Sequence, residues 1–329
     1  MFALLADNSW AANMPIVGII AGLVLLVIGA ELLVRGAVWI ALTLGVSRMT
    51  VGLTLVAFGT SMPELLVSFT AAANGNSEIA MANVIGSNTF NILFIVGIAA
   101  LICPIRLRVE RMELWYMLLA TALAAVPFLW GAQVGRPMAG VMVAMLVLFC
   151  TQLVLRERSK AGSTADRPED HPRSTLVGWL TNLALVAMGL ALLKFGADFL
   201  IEGSVAIAAS LGMSQALIGM TIVAGGTSLP ELATSALAAR KGQSEIAIGN
   251  IVGSNVFNVG AVLGISGLMQ PFPVNVPELG ALMIATAVSA IWLTVVLRAR
   301  DGVSRRVGAA FLVSYVVYIG WEAWRTGAI

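Results

Sequence analysis

Residues 51–68, VGLTLVAFGTSMPELLVS, return as residues 218–235, IGMTIVAGGTSLPELATS, with 11 of 18 positions identical. The same offset of 167 residues sets Glu78–Gly97 on Glu245–Gly264 with 10 of 20 identities, and sets Gly196 on Gly29, Asp198 on Glu31 and Gly203 on Gly36 without a gap. Shared apolar composition does not reproduce so many polar and small residues at one fixed offset. The chain is a duplicated unit, and the best-matched piece of each copy is a Gly-Thr-Ser-x-Pro-Glu motif inside an apolar stretch.

The surroundings of the motif identify its solvent. Of 329 residues 59% are hydrophobic and 11% charged, with mean hydropathy +0.94. An ordinary soluble domain has about 25% charged residues. Apolar stretches of about 20 residues, the length that crosses a bilayer as a helix, recur along the chain. They predict ten spans, at 15–44, 49–73, 77–102, 112–131, 137–156, 175–210, 215–239, 244–269, 277–298 and 306–324. The expected fold is therefore an all-α polytopic membrane protein. Residues 1–156 form a first repeat of five transmembrane helices, 157–174 a cytoplasmic linker and 175–329 a second repeat. Because five is odd, the second copy enters the membrane from the opposite side, which makes the repeats inverted. Inversion suggests alternating access, although duplication by itself also suits a channel or a scaffold.

Fifteen of the 19 Lys and Arg residues fall on one side of this topology, with only Arg136 and Arg325 on the other and Arg35 and Lys194 within or near spans. The positive-inside rule then places both termini outside the cytoplasm. It also explains the basic loops without nucleic acid. Met1–Asn13 lacks a basic leader region, so the first span is expected to be retained. Cys103 and Cys150 are isolated, and His171 lies in the polar connector, so neither a disulfide framework nor a zinc site is expected. No cofactor is indicated.

The motif itself is a poor choice for a plain membrane helix. Pro63 and Pro230 lack the N–H that would bond the carbonyl four residues earlier, so the helix is expected to open near Gly59 and Gly226 and free carbonyl oxygens. Thr60 and Ser61 precede Glu64 by four and three residues, and Thr227 and Ser228 precede Glu231 likewise, which gathers hydroxyl and carboxylate oxygens. A lone carboxylate at mid-membrane costs about 2.5–3.5 kcal/mol on insertion scales, so two of them require cations. The next span of each unit adds Asn83, Ser87, Asn88 and Asn91, mirrored by Asn250, Ser254, Asn255 and Asn258. Carboxylates, amides, hydroxyls and carbonyls make a hard oxygen set suited to Ca²⁺ or Na⁺. Gly86 and Gly253 are read as packing residues.

GTSMPELLVS with NVIGSNTFN, repeated as GGTSLPELATS with GNIVGSNVFN, resembles the paired alpha-repeats of the sodium/calcium exchanger (calcium/cation antiporter) superfamily, in particular its compact prokaryotic members. The resemblance covers nearly the whole chain. It implies a central Ca²⁺ site of Glu64 and Glu231 with the carbonyls of Thr60 and Thr227. It further implies one Na⁺ site of Ala57, Thr60, Ser61 and Ser87, another of Ala224, Thr227, Ser228 and Ser254, and Asn91 and Asn258 lining the centre. Two positions depart from the family pattern. Ala82 stands where glycine is usual, and Asn258 stands where some members have aspartate, leaving two carboxylates rather than three.

The expected activity is exchange of Ca²⁺ for Na⁺ across the cytoplasmic membrane, with membrane lipid as the surroundings. A proton-coupled or K⁺-dependent calcium antiporter is the nearest alternative. A passive cation channel fits inverted duplication poorly. A membrane hydrolase pairing Glu64 with Ser61 lacks a nearby His, so the chain is not expected to be an enzyme.

Overall fold

The computed structural model describes residues 10–73, 77–107, 109–129, 133–163, 174–211, 224–300 and 302–325. Eleven helices carry the argument: α1 (Pro15–Leu44), α2 (Arg48–Thr60), α3 (Met62–Ala73), α4 (Ile79–Ile102), α5 (Arg111–Leu129), α6 (Arg136–Ser163), α7 (Leu176–Ser210), α8 (Leu229–Arg240), α9 (Ser244–Met269), α10 (Val276–Ala299) and α11 (Arg305–Arg325). Among the described residues eight helices are long and apolar enough to cross a membrane, and α2 with α3 makes a ninth span bent by 45°. The remaining expected span, 215–239, is represented by α8, and its first part lies outside the described residues. The protein is a multi-pass integral membrane protein.

Burial sorts the helices into a centre and a periphery. The most apolar window of α9 is 100% buried and that of α4 72%, against 33% for α1, 22% for α7 and 17% for α11. The two central helices carry the Asn and Ser residues singled out above, so polar groups lie where lipid cannot reach. The outer helices instead present apolar side chains such as Ile20, Val24 and Val27, as a hydrocarbon solvent requires.

Helix α1 packs along α7 through glycines. A Cβ on Gly22 would stand 2.7 Å from the Gly196 carbonyl oxygen, one on Gly29 2.8 Å from that of Gly189, and one on Gly36 2.9 Å from that of Asn182. The positions on α1 rise as those on α7 fall, so the helices run antiparallel with their backbones in contact, the close approach that small residues permit in membranes. Gly253 in α9 behaves as expected: a Cβ there would lie 2.6 Å from the Leu53 carbonyl oxygen. The segment equivalent to that partner, for Gly86, falls in residues 212–223, outside the described residues.

Two short antiparallel strand pairs tie the loops at the ends of the bundle. β1 (Ile105–Arg106) pairs with β4 (Gly302–Val303), and β2 (Gln133–Val134) with β3 (Phe272–Pro273). Gly302 adopts φ 142°, and a Cβ there would sit 2.0 Å from the Ile105 carbonyl oxygen, so only glycine fits.

Helix α6 runs to Ser163, seven residues into the connector expected from Glu157 onward. The first of those residues is anchored. Glu157 Oε2 accepts from the Ser47 N–H at 3.1 Å, and Oε1 accepts from the Ser47 hydroxyl at 2.9 Å and the Thr50 hydroxyl at 2.7 Å. Ser47 is the N-cap of α2, its own oxygen taking the Thr50 N–H. Beside it Arg156 pairs with Glu113 at 2.7 Å and with Glu110. A hydrogen bond to a charged group is worth about 1.5–3 kcal/mol, so Glu157→Ala is expected to lower the apparent Tm by several degrees, measured by thermal unfolding in detergent. An unchanged Tm would show that the carboxylate is merely adjacent to the cap.

Candidate functional site

The motif breaks its span at a defined residue. α2 ends at Thr60, Ser61 turns at φ −82°, ψ 6°, and α3 starts at Met62. In the second copy Thr227 and Ser228 turn between a short helical piece, Ala224–Gly226, and α8. Pro63 and Pro230 therefore occupy the first turn of the following helix, where the missing N–H leaves no bond unmade. This arrangement puts Glu64 and Glu231 in the first turn as well, where the helix dipole favours negative charge. Both are 0% exposed.

The hydroxyls of the motif cross between the copies. Ser61 donates to Glu231 Oε1 at 3.0 Å, and Ser228 donates to Glu64 Oε1 at 2.9 Å. Ser87 reaches Glu64 Oε1, and Ser254 reaches Glu231 Oε1, each at 3.5 Å within its own copy. Thr60 donates to Asn250 Oδ1 at 3.0 Å, and Thr227 to Asn83 Oδ1 at 3.3 Å. Each contact has its counterpart at the 167-residue offset, so the duplication seen in sequence becomes a pair of reciprocal half-sites. The carbonyl oxygen of Ala57 takes the Ser61 N–H at 3.0 Å and the Thr60 hydroxyl at 3.4 Å. Ala224 lies in the short helical piece before the second break.

The amides form a second reciprocal layer. Asn91 Nδ2 donates to Asn255 Oδ1 at 3.1 Å, Asn258 Nδ2 donates to Asn88 Oδ1 at 3.0 Å, and Asn88 Nδ2 reaches the Asn255 carbonyl at 3.3 Å. Asn83 and Asn250 fasten the carboxylate helices to α4 and α9. Asn83 Nδ2 donates to Ser68 Oγ at 3.0 Å and to the Glu64 carbonyl at 3.3 Å, and Asn250 Nδ2 to Ser235 Oγ at 2.9 Å and to the Glu231 carbonyl at 3.5 Å. Ser68 and Ser235 were not among the expected site residues, yet they are an identical pair of the repeat, a signal that would have found them. The bond between Thr89 and Thr286, 2.6 Å, joins α4 to α10. It has no repeat counterpart, since Val256 stands 167 residues after Thr89, and the sequence carries no sign of it.

Four buried oxygens of this cluster lack a hydrogen-bond partner among the described residues: Glu64 Oε2, Glu231 Oε2, Asn91 Oδ1 and Asn258 Oδ1. An acceptor left bare in the membrane interior costs several kcal/mol, about 2–7 by transfer scales, unless a donor or a cation meets it. Basic side chains do not supply that partner among the described residues. Arg35 pairs with Glu31 at 3.7 Å, Lys194 with Asp198 at 2.6 Å, and Lys241 with Glu31 at 2.5 Å. Nor do the described residues hold a group of three or more His, Cys, Asp and Glu, so soft or borderline metals have no nitrogen or sulfur set here. The available acceptors are all oxygen, and the two carboxylates repel each other when both are ionised, a repulsion that a cation would relieve.

Known proteins match this chain along its length. The family described as "Sodium/calcium exchanger protein" matches residues 14–156 and 181–324. The putative antiporter CaxA of Alkalimonas amylolytica is 35% identical, over 91% of this chain and 96% of that protein. The sodium/calcium exchanger MaX1 of Methanosarcina acetivorans is 31% identical, over 92% of this chain and 96% of that protein. Among solved structures, the sodium-calcium exchanger NCX_Mj superposes with a TM-score of 0.78 at 27% identity, covering 94% of this chain and 99% of the other.

Proposed function

We propose, from the premise that this chain belongs to the sodium/calcium exchanger family, that its cation antiport is the exchange of Ca²⁺ for Na⁺ by alternating access. The relatives are transporters rather than enzymes, and calcium/cation antiport is the activity the family assigns. The observation that carries the finer reading is the pair of reciprocal carboxylates, Glu64 and Glu231, each fully buried and each with an oxygen unpartnered among the described residues. Two carboxylates balance one Ca²⁺ or two Na⁺. A site holding either load crosses the membrane interior neutral, whereas an empty one leaves two unpaired charges in low dielectric. The return of the empty protein is disfavoured, and exchange follows.

In this reading the Glu64 and Glu231 carboxylates with the Thr60 and Thr227 carbonyls hold Ca²⁺, and Asn91 and Asn258 line the centre. Ala57, Thr60, Ser61 and Ser87 hold one Na⁺, and Ala224, Thr227, Ser228 and Ser254 another. The ten spans form two inverted repeats, a topology supported by the strand pairs. β1 follows the third expected span and β3, its counterpart at the offset, the eighth. β1 lies beside β4, in the loop after the ninth span, while β3 lies beside β2, in the loop after the fourth. Odd-numbered loops thus pair with each other, as do even-numbered ones, which is the arrangement two oppositely oriented copies require. We place the protein in the cytoplasmic membrane with both termini outside. α1 and α7, peripheral and packed backbone to backbone, are the elements assigned to slide past the buried centre.

Purified protein in vesicles tests the coupling ion. Na⁺-loaded vesicles diluted into Na⁺-free medium are expected to accumulate radiolabelled Ca²⁺, and vesicles without a Na⁺ gradient are not. Uptake driven equally by a pH step in Na⁺-free medium would replace Na⁺ coupling with proton coupling. Uptake without any counter-gradient, lacking counterflow, would indicate a channel.

A further inference from the structure

Away from the ion site, α5 and α10 enclose a groove of about 300 Å³ lined by Arg111, Leu114, Trp115, Leu118, Thr294 and Arg298. The four residues from α5 recur at the spacing of one helix face, and Thr294 and Arg298 lie one turn apart on the helix opposite. Arg111 opens α5, and Arg298 is the penultimate residue of α10. Pairing of β1, which precedes α5, with β4, which follows α10, fixes those two ends at the same edge of the bundle. Moving from that edge toward the membrane interior, the lining changes from two guanidinium groups to Leu114, Trp115 and Leu118. The neighbouring residues Leu119 and Val295 are exposed to lipid.

The charges in this groove are unmatched. Neither Arg111 nor Arg298 has an ion-pair or hydrogen-bond partner among the described residues, whereas Arg156 is bound to Glu113 and Glu110. Two arginines at one polar edge present planar donor forks suited to phosphate oxygens. Leu114, 2% exposed, closes the floor, and Trp115, 68% exposed, forms a wall open to the bilayer. A tryptophan at this level is at home in the interfacial zone. A small soluble anion would use the arginines and leave the apolar half of the groove idle. A phospholipid uses both halves.

We propose that the groove between α5 and α10 binds an anionic phospholipid, with its phosphate between Arg111 and Arg298 and an acyl chain along Leu114, Trp115 and Leu118. The assignment is independent of the transported ions, because none of these residues touches the carboxylate site.

The test uses the whole purified chain, delipidated in detergent and examined by native mass spectrometry with an equimolar mixture of phosphatidylglycerol and phosphatidylcholine. The wild-type protein is expected to retain phosphatidylglycerol selectively. The double variant Arg111→Gln/Arg298→Gln is expected to need about thirtyfold more lipid for the same occupancy, from about 1 kcal/mol for each of the two basic residues near an anionic surface. The charge-matched control Arg240→Gln/Arg306→Gln is expected to behave as wild type. Equal retention by all three proteins, or an equal loss in both double variants, overturns the proposal. So does displacement of the lipid by millimolar inorganic phosphate, which would make the site one for a soluble anion. Trp115→Ala, which keeps both charges, is expected to weaken retention as well, and unaltered retention would remove the acyl chain from the assignment. Circular dichroism and a monodisperse elution profile establish that each variant is folded before its lipid is counted.

Discussion

Vesicles carrying Glu64→Gln are expected to take up Ca²⁺ at about one hundredth of the wild-type rate or less, with Glu231→Gln equally impaired. The substitution is nearly isosteric, and an amide oxygen can still accept from Ser228 and Ser87, which now hold Glu64 Oε1. What it removes is one of two negative charges in a fully buried site. Breaking a buried pair of opposite charges, here carboxylate and bound cation, by deleting one partner costs about 3–5 kcal/mol, and about 1.4 kcal/mol is a factor of ten, so the loss exceeds a hundredfold. A divalent ion would then cross with a charge uncompensated. The reciprocal bonds make the two variants equivalent: Ser61 serves Glu231 as Ser228 serves Glu64, at 3.0 Å and 2.9 Å. Uptake within about threefold of wild type in either variant, a change of under about 1 kcal/mol, would remove these carboxylates from the ion path. A large asymmetry between the two would mean that the half-sites do different work despite their matching contacts.

The sequence reveals this site because a carboxylate cannot lie unexplained in a bilayer, and because each polar residue occurs twice at one offset. Equivalence, however, is not contact. The 167-residue offset pairs Ser61 with Ser228 and Glu64 with Glu231, yet it is silent on which serine touches which glutamate, and the bonds cross between copies. Spacing within the motif suggested that Ser61 and Glu64 share a face. The turn falls at Ser61 itself, so its side chain does not follow the spacing rule of a continuous helix. The spans themselves are legible, since about 20 apolar residues is a physical requirement of the bilayer. The π-helical stretches among the described residues, Gly52–Val56, Phe90–Ile95 and Asn258–Leu263, are not. Their residues, mostly apolar with Gly and Asn interspersed, carry no pattern that marks a widened turn, and such bulges are frequent at functional sites. In the sequence Glu157 reads as the start of the cytoplasmic linker, because the copy offers no guide there: Trp324 stands at its offset. Only the tertiary contact with Ser47 and Thr50 makes it part of the folded end of α2.

The alternation proposed for the site would depend on the glycine seam between α1 and α7, and Gly29→Leu should show it. A Cβ at Gly29 would lie 2.8 Å from both the Gly189 carbonyl oxygen and the Leu193 nitrogen, and backbone atoms cannot rotate aside as a flexible side chain can. The two helices must separate along a seam that also includes Gly22 with Gly196 and Gly36 with Val186. Overpacking of a close contact costs about 1–3 kcal/mol, and 1 kcal/mol moves the Tm of a chain this long by about 2–4 °C, so a drop of several degrees in detergent is expected. Gly189→Leu should act alike, because the contact is mutual: its own Cβ would meet the Leu33 nitrogen at 2.7 Å. Gly320→Leu, where nothing lies within 4 Å, serves as the control and should leave Tm unchanged. Transport separates two roles for the seam. If the helices slide as a unit, Gly29→Leu slows exchange while Ca²⁺ binding to Glu64 and Glu231 persists, since the carboxylates are held by Ser61, Ser228, Ser87 and Ser254 rather than by the seam. Loss of binding together with transport would instead make the seam part of the scaffold that shapes the site, and unchanged Tm and transport would mean that α1 and α7 do not need their close approach.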